Sequence, residues 1–95
     1  MPKAAPISRD GAESMAVQAL GFLAREPEQL GRFLAASGIG PEMIRKAAAD
    51  PSFLAGVLDF IAADEALLVA FAQYANLDPR MVARAHALLG GHLPH

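Results

Sequence analysis

The sequence predicts an all-α fold, a single domain built as a compact bundle of five to six short helices. The chain has 95 residues, which is the length of one small domain. Its composition favours helices, because it contains 21 Ala and 12 Leu but only eight Val and Ile together and no Thr. Prolines and glycines divide the chain into segments of helical length, in which apolar residues recur at helical spacing.

Six positions along the chain are typical helix starts. Proline is tolerated at the first position of a helix, because the N–H that it lacks would be unpaired there. Four interior prolines each follow a residue suited to an N-cap or a turn, and Ser8 and Asp64 are two further N-cap candidates. The four prolines are Pro27, Pro41, Pro51 and Pro79.

The helix ends are indicated by Gly38 and Asn76, which tolerate the left-handed conformation, and by residues 90–91, which are both glycine. The short connections leave no room for a linker or a second domain. We therefore expect a disordered lead over residues 1–7, one helical domain over residues 8–91 and a tail over residues 92–95. Starts and ends together predict helices over 9–25, 27–37, 41–49, 51–63, 65–75 and 79–90.

The chain also resembles itself at an offset of 38 residues. Residues 12–49 align without a gap on residues 50–87, and ten of the 38 aligned positions are identical. The pattern predicts a tandem duplication of a three-helix unit, with helical periodicity shared by unrelated segments as the alternative. Neither half is expected to be stable alone. The identical pairs include Phe22/Phe60, Phe33/Phe71, Pro41/Pro79 and Met43/Met81.

Composition also excludes several classes of function. The chain has no Cys, which excludes a disulfide scaffold, a thiol nucleophile and a Cys-ligated metal, and fits a reducing compartment. Its longest uncharged apolar stretch, residues 66–77, is shorter than the roughly 18 to 20 residues of a membrane span. We therefore expect a cytoplasmic protein without a cofactor.

Several motifs in a fixed order resemble a known family. They are EPEQLGRFLA over residues 26–35, GIGP over 38–41, RKAAADPSFL over 45–54 and VLD over 57–59. This order resembles the family of short bacterial proteins filed as domain of unknown function 3572, and the resemblance spans roughly residues 8–89. It implies a small, helical, soluble bacterial protein, and it supplies no catalytic or binding residues.

The sequence shows no combination of residues typical of a catalytic site. Nearly all acidic residues lie at or just inside predicted helix N-termini, where carboxylates cap backbone N–H groups and complement the helix dipole. The serines lack a neighbouring His, and no phosphate-binding loop is present. His86, His92 and His95 lie near the C-terminus, where a frayed tail is favoured over a metal site. We expect no enzyme activity and no catalytic, cofactor-binding or metal residues.

The function that remains is a non-enzymatic protein–protein interaction module, with a homodimer as one form. Aromatic and Met residues recur at helical spacing and pair across the repeat, which is typical of a core. The same residue types could line an apolar groove for a partner helix, or for an acyl chain or another apolar small molecule. The candidate groove residues are Phe33, Met43, Phe71, Tyr74 and Met81.

The alternative from another class is a nucleic-acid-binding protein. Each predicted half ends in two helices joined by a short turn, a pattern similar to a helix-turn-helix. The second helix of each pair would present cations to phosphate. A net charge of −2 makes nucleic acid the less favoured partner, because it leaves no basic footprint over the whole chain. The candidate phosphate-contacting residues are Arg80, Arg84, Arg45 and Lys46.

Overall fold

A computed structural model of the chain describes residues 8–89. The predicted lead, the tail with His92 and His95, and the two glycines at 90–91 lie outside the described residues. Within residues 8–89 the chain forms helices and no strand, so the predicted all-α bundle is confirmed. The helices are α1 (Arg9–Ala24), α2 (Pro27–Ser37), α3 (Ile44–Ala47, preceded by a 3-10 turn over Pro41–Met43), α4 (Pro51–Ala62), α5 (Glu65–Ala75) and α6 (Pro79–Leu88).

The helices begin at the positions that the sequence predicts. Four N-cap side chains accept a hydrogen bond from a backbone N–H of the first turn, which satisfies a group that has no partner inside the helix. Glu26 precedes α2 without such a bond, so proline at the first position is the start signal there. The bonds run from Gly11 N to Ser8 Oγ at 3.0 Å, from Ser52 N to Asp50 Oδ1 at 2.9 Å, from Leu67 N to Asp64 Oδ1 at 3.1 Å and from Arg80 N to Asp78 Oδ1 at 2.9 Å.

Gly38 and Asn76 adopt the left-handed conformation, with φ of 76° and 59°, as predicted. The two helix ends nevertheless differ in their hydrogen bonds. The Gly38 N–H donates to the Leu34 carbonyl, which is the single bond of an αL end. After α5, the Asn76 and Leu77 N–H groups donate to the Gln73 and Ala72 carbonyls, which is the Schellman pattern.

The third helix is shorter than predicted. A helix over residues 41–49 was expected, but the segment begins as a 3-10 turn and its α-helical part covers only Ile44–Ala47. Asp50 precedes Pro51 and is extended, with φ of −98° and ψ of 118°, because the proline ring disfavours the helical conformation in the residue before it. The chain must therefore leave the helix before Asp50. The other described helix ends agree with the prediction to within one or two residues.

The core lies where α1, α4 and α6 pack on one another. On α1, Ala12, Ala16 and Ala19 are fully buried. The buried face of α4 carries larger side chains, including the fully buried Val57, Leu58 and Ile61. Small residues on one helix allow large residues of its neighbours to fill the space between the axes. No polar or charged residue among residues 8–89 is buried, so apolar contact holds the helices together.

The two halves share part of this burial pattern. Leu20 and Leu58 are buried at corresponding positions, and so are the pair Leu23 and Ile61 and the pair Phe33 and Phe71. The third helices differ, because α6 packs on both α1 and α4 whereas α3 is a single turn. The duplication therefore stays a prediction. In α6 the fully buried residues are Val82 and Ala85, whose counterparts Ile44 and Ala47 in α3 are only partly buried.

The left-handed end of α2 allows a test with a matched control. Gly38→Ala should lower the free energy of unfolding by about 1 kcal/mol, because a Cβ is disfavoured at φ of 76°. Gly31→Ala makes the same chemical change inside α2, where an added Cβ would meet no atom within 4 Å. It should raise the free energy by about 0.5 to 1 kcal/mol, because Ala is the better helix former. Urea unfolding followed by far-UV circular dichroism measures the free energy of unfolding of both variants. A change of the same sign in the two variants would contradict the left-handed conformation of Gly38.

Candidate interaction surface

Helix α5 exposes several apolar residues to solvent, although apolar residues of a helix usually face the core. Beyond the exposed Glu65 at its first position, α5 has five exposed residues, of which four are apolar and none is charged, and its buried residues are Leu67, Phe71 and Ala72. At 100° per residue the five exposed residues cover an arc of about 140°. We call this surface the α5 outer face, and it consists of Ala66, Val69, Ala70, Gln73 and Tyr74.

The α5 outer face also carries the largest exposed apolar side chains in one place. Tyr74 is 47% exposed and Val69 is 42% exposed. Among residues 8–89, the other two large apolar side chains of comparable exposure are Val17 on α1 and Met43 on the 3-10 turn, which are far apart in the chain. Single apolar residues are normal on a protein surface, whereas a contiguous apolar patch of several hundred Å² marks an interaction site. Val69 and Tyr74 lie at the two edges of the α5 outer face, with Ala70 and Gln73 between them.

Tyr74 is held in a defined position by its neighbours. Its ring centroid lies 5.2 Å from that of Phe22 on α1 and 6.4 Å from that of Phe71 on α5. The guanidinium carbon of Arg25 lies 5.5 Å from the Tyr74 ring centroid, so the cation also contacts the ring. An exposed aromatic side chain that is already packed loses little conformational freedom when a partner covers it.

Charged residues border the α5 outer face. At the N-terminal end, Glu65 is exposed, and Glu26 and Asp64 line a shallow depression of about 300 Å³ together with Ala66 and Ala70. At the C-terminal end, Arg25 lies against Tyr74. The α5 outer face is therefore itself uncharged, and it is bordered by acidic residues and by Arg25, which directly precedes Glu26 in the chain.

A second apolar depression lies between α2 and α4. It has a volume of about 290 Å³, and its walls include Phe33, Phe60, Gly56 and Ala36. The Phe33 and Phe60 ring centroids are 5.4 Å apart, nearly edge to face. Phe33 itself is only 3% exposed, so the floor of this depression is part of the core.

The structure does not bring the five predicted groove residues into one groove. Phe71 and Tyr74 lie together, in the cluster with Phe22. Phe33 belongs to a separate cluster with Phe53 and Phe60. Met43 is 45% exposed on the 3-10 turn, and Met81 is partly buried on α6. Their role in binding stays a prediction.

Sequence reasoning missed most of the α5 outer face. Tyr74 was a candidate, but Val69 and the two alanines were not. The signal was present in the uncharged stretch of residues 66–77, whose shortness excludes a membrane span and whose lack of charge also leaves α5 without a polar side. In the structure, none of the helices over residues 8–89 has the length and apolar character needed to cross a bilayer.

The predicted phosphate-contacting residues lie on two helices and are all exposed, with Arg80 and Arg84 on α6 and Arg45 and Lys46 on α3. Arg80 is engaged within its own helix, because its Nη2 lies 2.8 Å from Asp78 Oδ2 and its Nε lies 3.2 Å from Asp78 Oδ1. The hydrogen bonds from the Arg80 side chain and backbone lower the pKa of Asp78 from 3.8 to about 2.

His86 is the histidine within the described part of the chain. Its Nε2 lies 3.5 Å from Asp59 Oδ1, which joins α6 to α4 at the surface. Among residues 8–89, no three His, Cys, Asp or Glu side chains lie close enough together to hold a metal ion. His86 therefore contacts a single carboxylate, that of Asp59 on α4, and does not belong to a group of metal ligands among residues 8–89.

Comparison with known proteins identifies a family. The family described as "Protein of unknown function (DUF3572)" matches residues 9–92, which is nearly the whole chain. The resemblance predicted from the ordered motifs is thus confirmed. No curated protein matches the chain, and no solved structure matches it.

The Asp78–Arg80 pair sets a pH dependence with a definite sign. Because the pKa of Asp78 is lowered from 3.8 to about 2, its charge stabilises the fold above about pH 4, and this contribution is lost as the pH falls towards 2. Arg80→Gln should raise the pKa of Asp78 towards 3.8, without reaching it, because the backbone N–H of residue 80 still donates. Carbon-13 NMR titration of the Asp78 carboxyl measures the change.

Arg84→Gln is the matched control for this titration. Arg84 affects the pKa of Asp78 only through its more distant charge, so its removal should shift that pKa much less. Equal shifts in the two variants would show that general charge, rather than the direct hydrogen bonds, determines the pKa of Asp78.

Proposed function

The chain belongs to the DUF3572 family of proteins of unknown function, and from this premise we propose that it is a non-enzymatic protein–protein interaction module that binds its partner through the α5 outer face. One observation carries the proposal. Along the nine positions from Ala66 to Tyr74, α5 exposes apolar residues and one amide but no charge. A helix that lay permanently against water would be expected to carry charged residues there.

The chemistry of the α5 outer face supports binding of a protein surface. Burying apolar area contributes about 25 cal/mol per Å², so Val69 and the Tyr74 ring would both stabilise a complex. Ala66 and Ala70 are one helical turn apart and allow a partner to approach the helix axis closely. Tyrosine is enriched among the residues that dominate binding energy at interfaces.

The non-enzymatic part of the proposal is supported by how the polar side chains are used. Asp50, Asp64 and Asp78 accept backbone hydrogen bonds as helix caps, and Asp78 also binds Arg80. These three carboxylates therefore stabilise helix N-termini, which accounts for their presence without a catalytic role. The cytoplasmic location predicted from the sequence stays part of this proposal.

The two alternatives have less support. For nucleic acid, the guanidinium of Arg80 is engaged by Asp78. Among residues 8–89 this leaves Arg84 as the cation of the pair on α6 that is available for phosphate contact. For an apolar small molecule, the depression between α2 and α4 is open and shallow, whereas pockets that bind such ligands enclose most of their surface.

Site-specific photo-crosslinking in the cells that make the protein tests the proposal. A benzophenone amino acid at Gln73, in the α5 outer face, should give a protein adduct of discrete mass. The matched control places the same probe at Ala83, which is exposed on α6. The adduct should be absent at residue 83, and it should disappear from residue 73 when Val69→Glu adds a charge to the face.

Equal adducts at the two positions, or none at residue 73, would contradict the proposal. An adduct at residue 73 that nuclease removes would instead support the nucleic-acid alternative. Far-UV circular dichroism of the Val69→Glu variant should match the unmodified protein, because Val69 lies on the surface and contributes little to the core.

A further inference from the structure

The segment between α2 and α4 packs only weakly on the rest of the molecule. Every residue from 34 to 52 is exposed or partly buried, whereas α1, α2, α4, α5 and α6 each contain buried residues. We propose that residues 39–49, which we call the α3 strap, open as a unit while α1, α4 and α6 stay packed, and that this opening uncovers an apolar surface on α1 and α4. The proposal does not depend on the α5 outer face.

The α3 strap lacks the packing of its counterpart in the second half of the chain. α6 packs on α1, α4 and α5, whereas neither the 3-10 turn nor α3 makes comparable contact with any of these helices. Ile44 and Ala47 pack against the core but are only partly buried. Segments with few buried apolar contacts open at a lower free energy than the core does.

The two helices that the α3 strap connects have end bonds that do not involve it. At the end of α2, the Gly38 N–H donates to the Leu34 carbonyl at 2.9 Å. At the start of α4, Asp50 Oδ1 accepts from the Ser52 N–H at 2.9 Å. Within residues 8–89, the hydrogen bonds of the strap stay inside it or join it to Asp50, the next residue. Opening of the strap therefore leaves the ends of α2 and α4 capped.

Two depressions lie on either side of the α3 strap. Ala48 lines both of them. The first has a volume of about 610 Å³ and lies between the strap and Leu20 on α1. The second has a volume of about 700 Å³ and is lined by Val17 on α1 and Leu54 on α4. When the strap opens, the two depressions become one, and these three side chains form a single apolar surface.

The α3 strap thus controls how much apolar surface the folded molecule exposes. With the strap closed, Leu20 is 8% exposed and Leu54 is 3% exposed. A contiguous apolar surface promotes association with other molecules. The population of the open form therefore sets how often this surface is available, while the core remains folded.

Thiol labelling of two cysteine variants tests the proposal. The chain has no Cys, so each variant carries a single reactive thiol. Leu20→Cys places the thiol beneath the strap, and Leu23→Cys is the matched control, one turn further along α1 where Leu23 is fully buried. With a soluble maleimide under native conditions, the thiol at residue 20 should react about tenfold faster or more, because strap opening requires less free energy than unfolding of the core.

Two second substitutions identify the motion that exposes each thiol. Ala47→Gly destabilises the closed strap and should speed labelling at both positions by about threefold, because the closed form loses stability relative to the open and the unfolded forms alike. Ile61→Val destabilises the core, since Ile61 is fully buried on α4 away from the strap. It should speed labelling at residue 23 by about fivefold and leave residue 20 unchanged, because the core is intact in the open form.

Three outcomes would overturn the proposal. Equal acceleration of both thiols by Ile61→Val would show that the strap opens only when the whole chain unfolds. A rate at residue 20 that Ala47→Gly leaves unchanged would show that the thiol reacts while the strap is closed. Equal labelling rates at residues 20 and 23 would show that the strap does not open separately from the core.

Amide hydrogen exchange tests the same motion without any cysteine. In the chain that carries only Ile61→Val, the Ala48 N–H, which donates to the Ile44 carbonyl, should exchange at its original rate. The slowest amides of α4 should exchange about fivefold faster in the same variant. Equal acceleration of the Ala48 amide and the α4 amides would overturn the proposal even if a cysteine variant failed to fold.

Discussion

The contact between α1 and α4 is the interaction on which the rest of the molecule depends. It joins a helix with three fully buried alanines to the most apolar helix of residues 8–89, and the other packed helices are arranged around these two. α6 packs on both, and Val82 and Ala85 are buried there. A chain of 95 residues without disulfides must hold its fold by such apolar contact, because small domains have little core to spare.

The sequence predicted the helices well because their limits are set by local chemistry. Pro51 and Pro79 at first positions, aspartates as caps, and Gly38 and Asn76 at left-handed ends each act within a few residues of where they stand. α3 is the exception, since its length depends both on the proline that follows and on how little of it packs against the core. Local signals predict a helix at that place without predicting that it is a single turn.

The exposed side of α5 could not be predicted in the same way. Leu67 and Phe71 are buried, whereas Val69 and Tyr74 of the same helix are also apolar and are exposed. Beyond Glu65 at its first position, α5 has no charged residue to indicate which side faces water, so burial is decided by where α1 and α4 lie. Met43 and Met81 occupy corresponding positions in the two halves, but Met43 is exposed and Met81 is partly buried. Their burial also depends on which helices pack nearby, and the local sequence does not show this.

The position of Tyr74 has a spectroscopic consequence. The chain has one tyrosine and no tryptophan, so nearly all of its near-ultraviolet absorption and emission comes from this side chain together with five weakly emitting phenylalanines. Its ring lies half exposed at one end of the α5 outer face, in contact with Phe22 and Arg25. The unmodified protein thus carries a single intrinsic fluorophore at the surface where we propose that it binds, while its core remains optically almost silent.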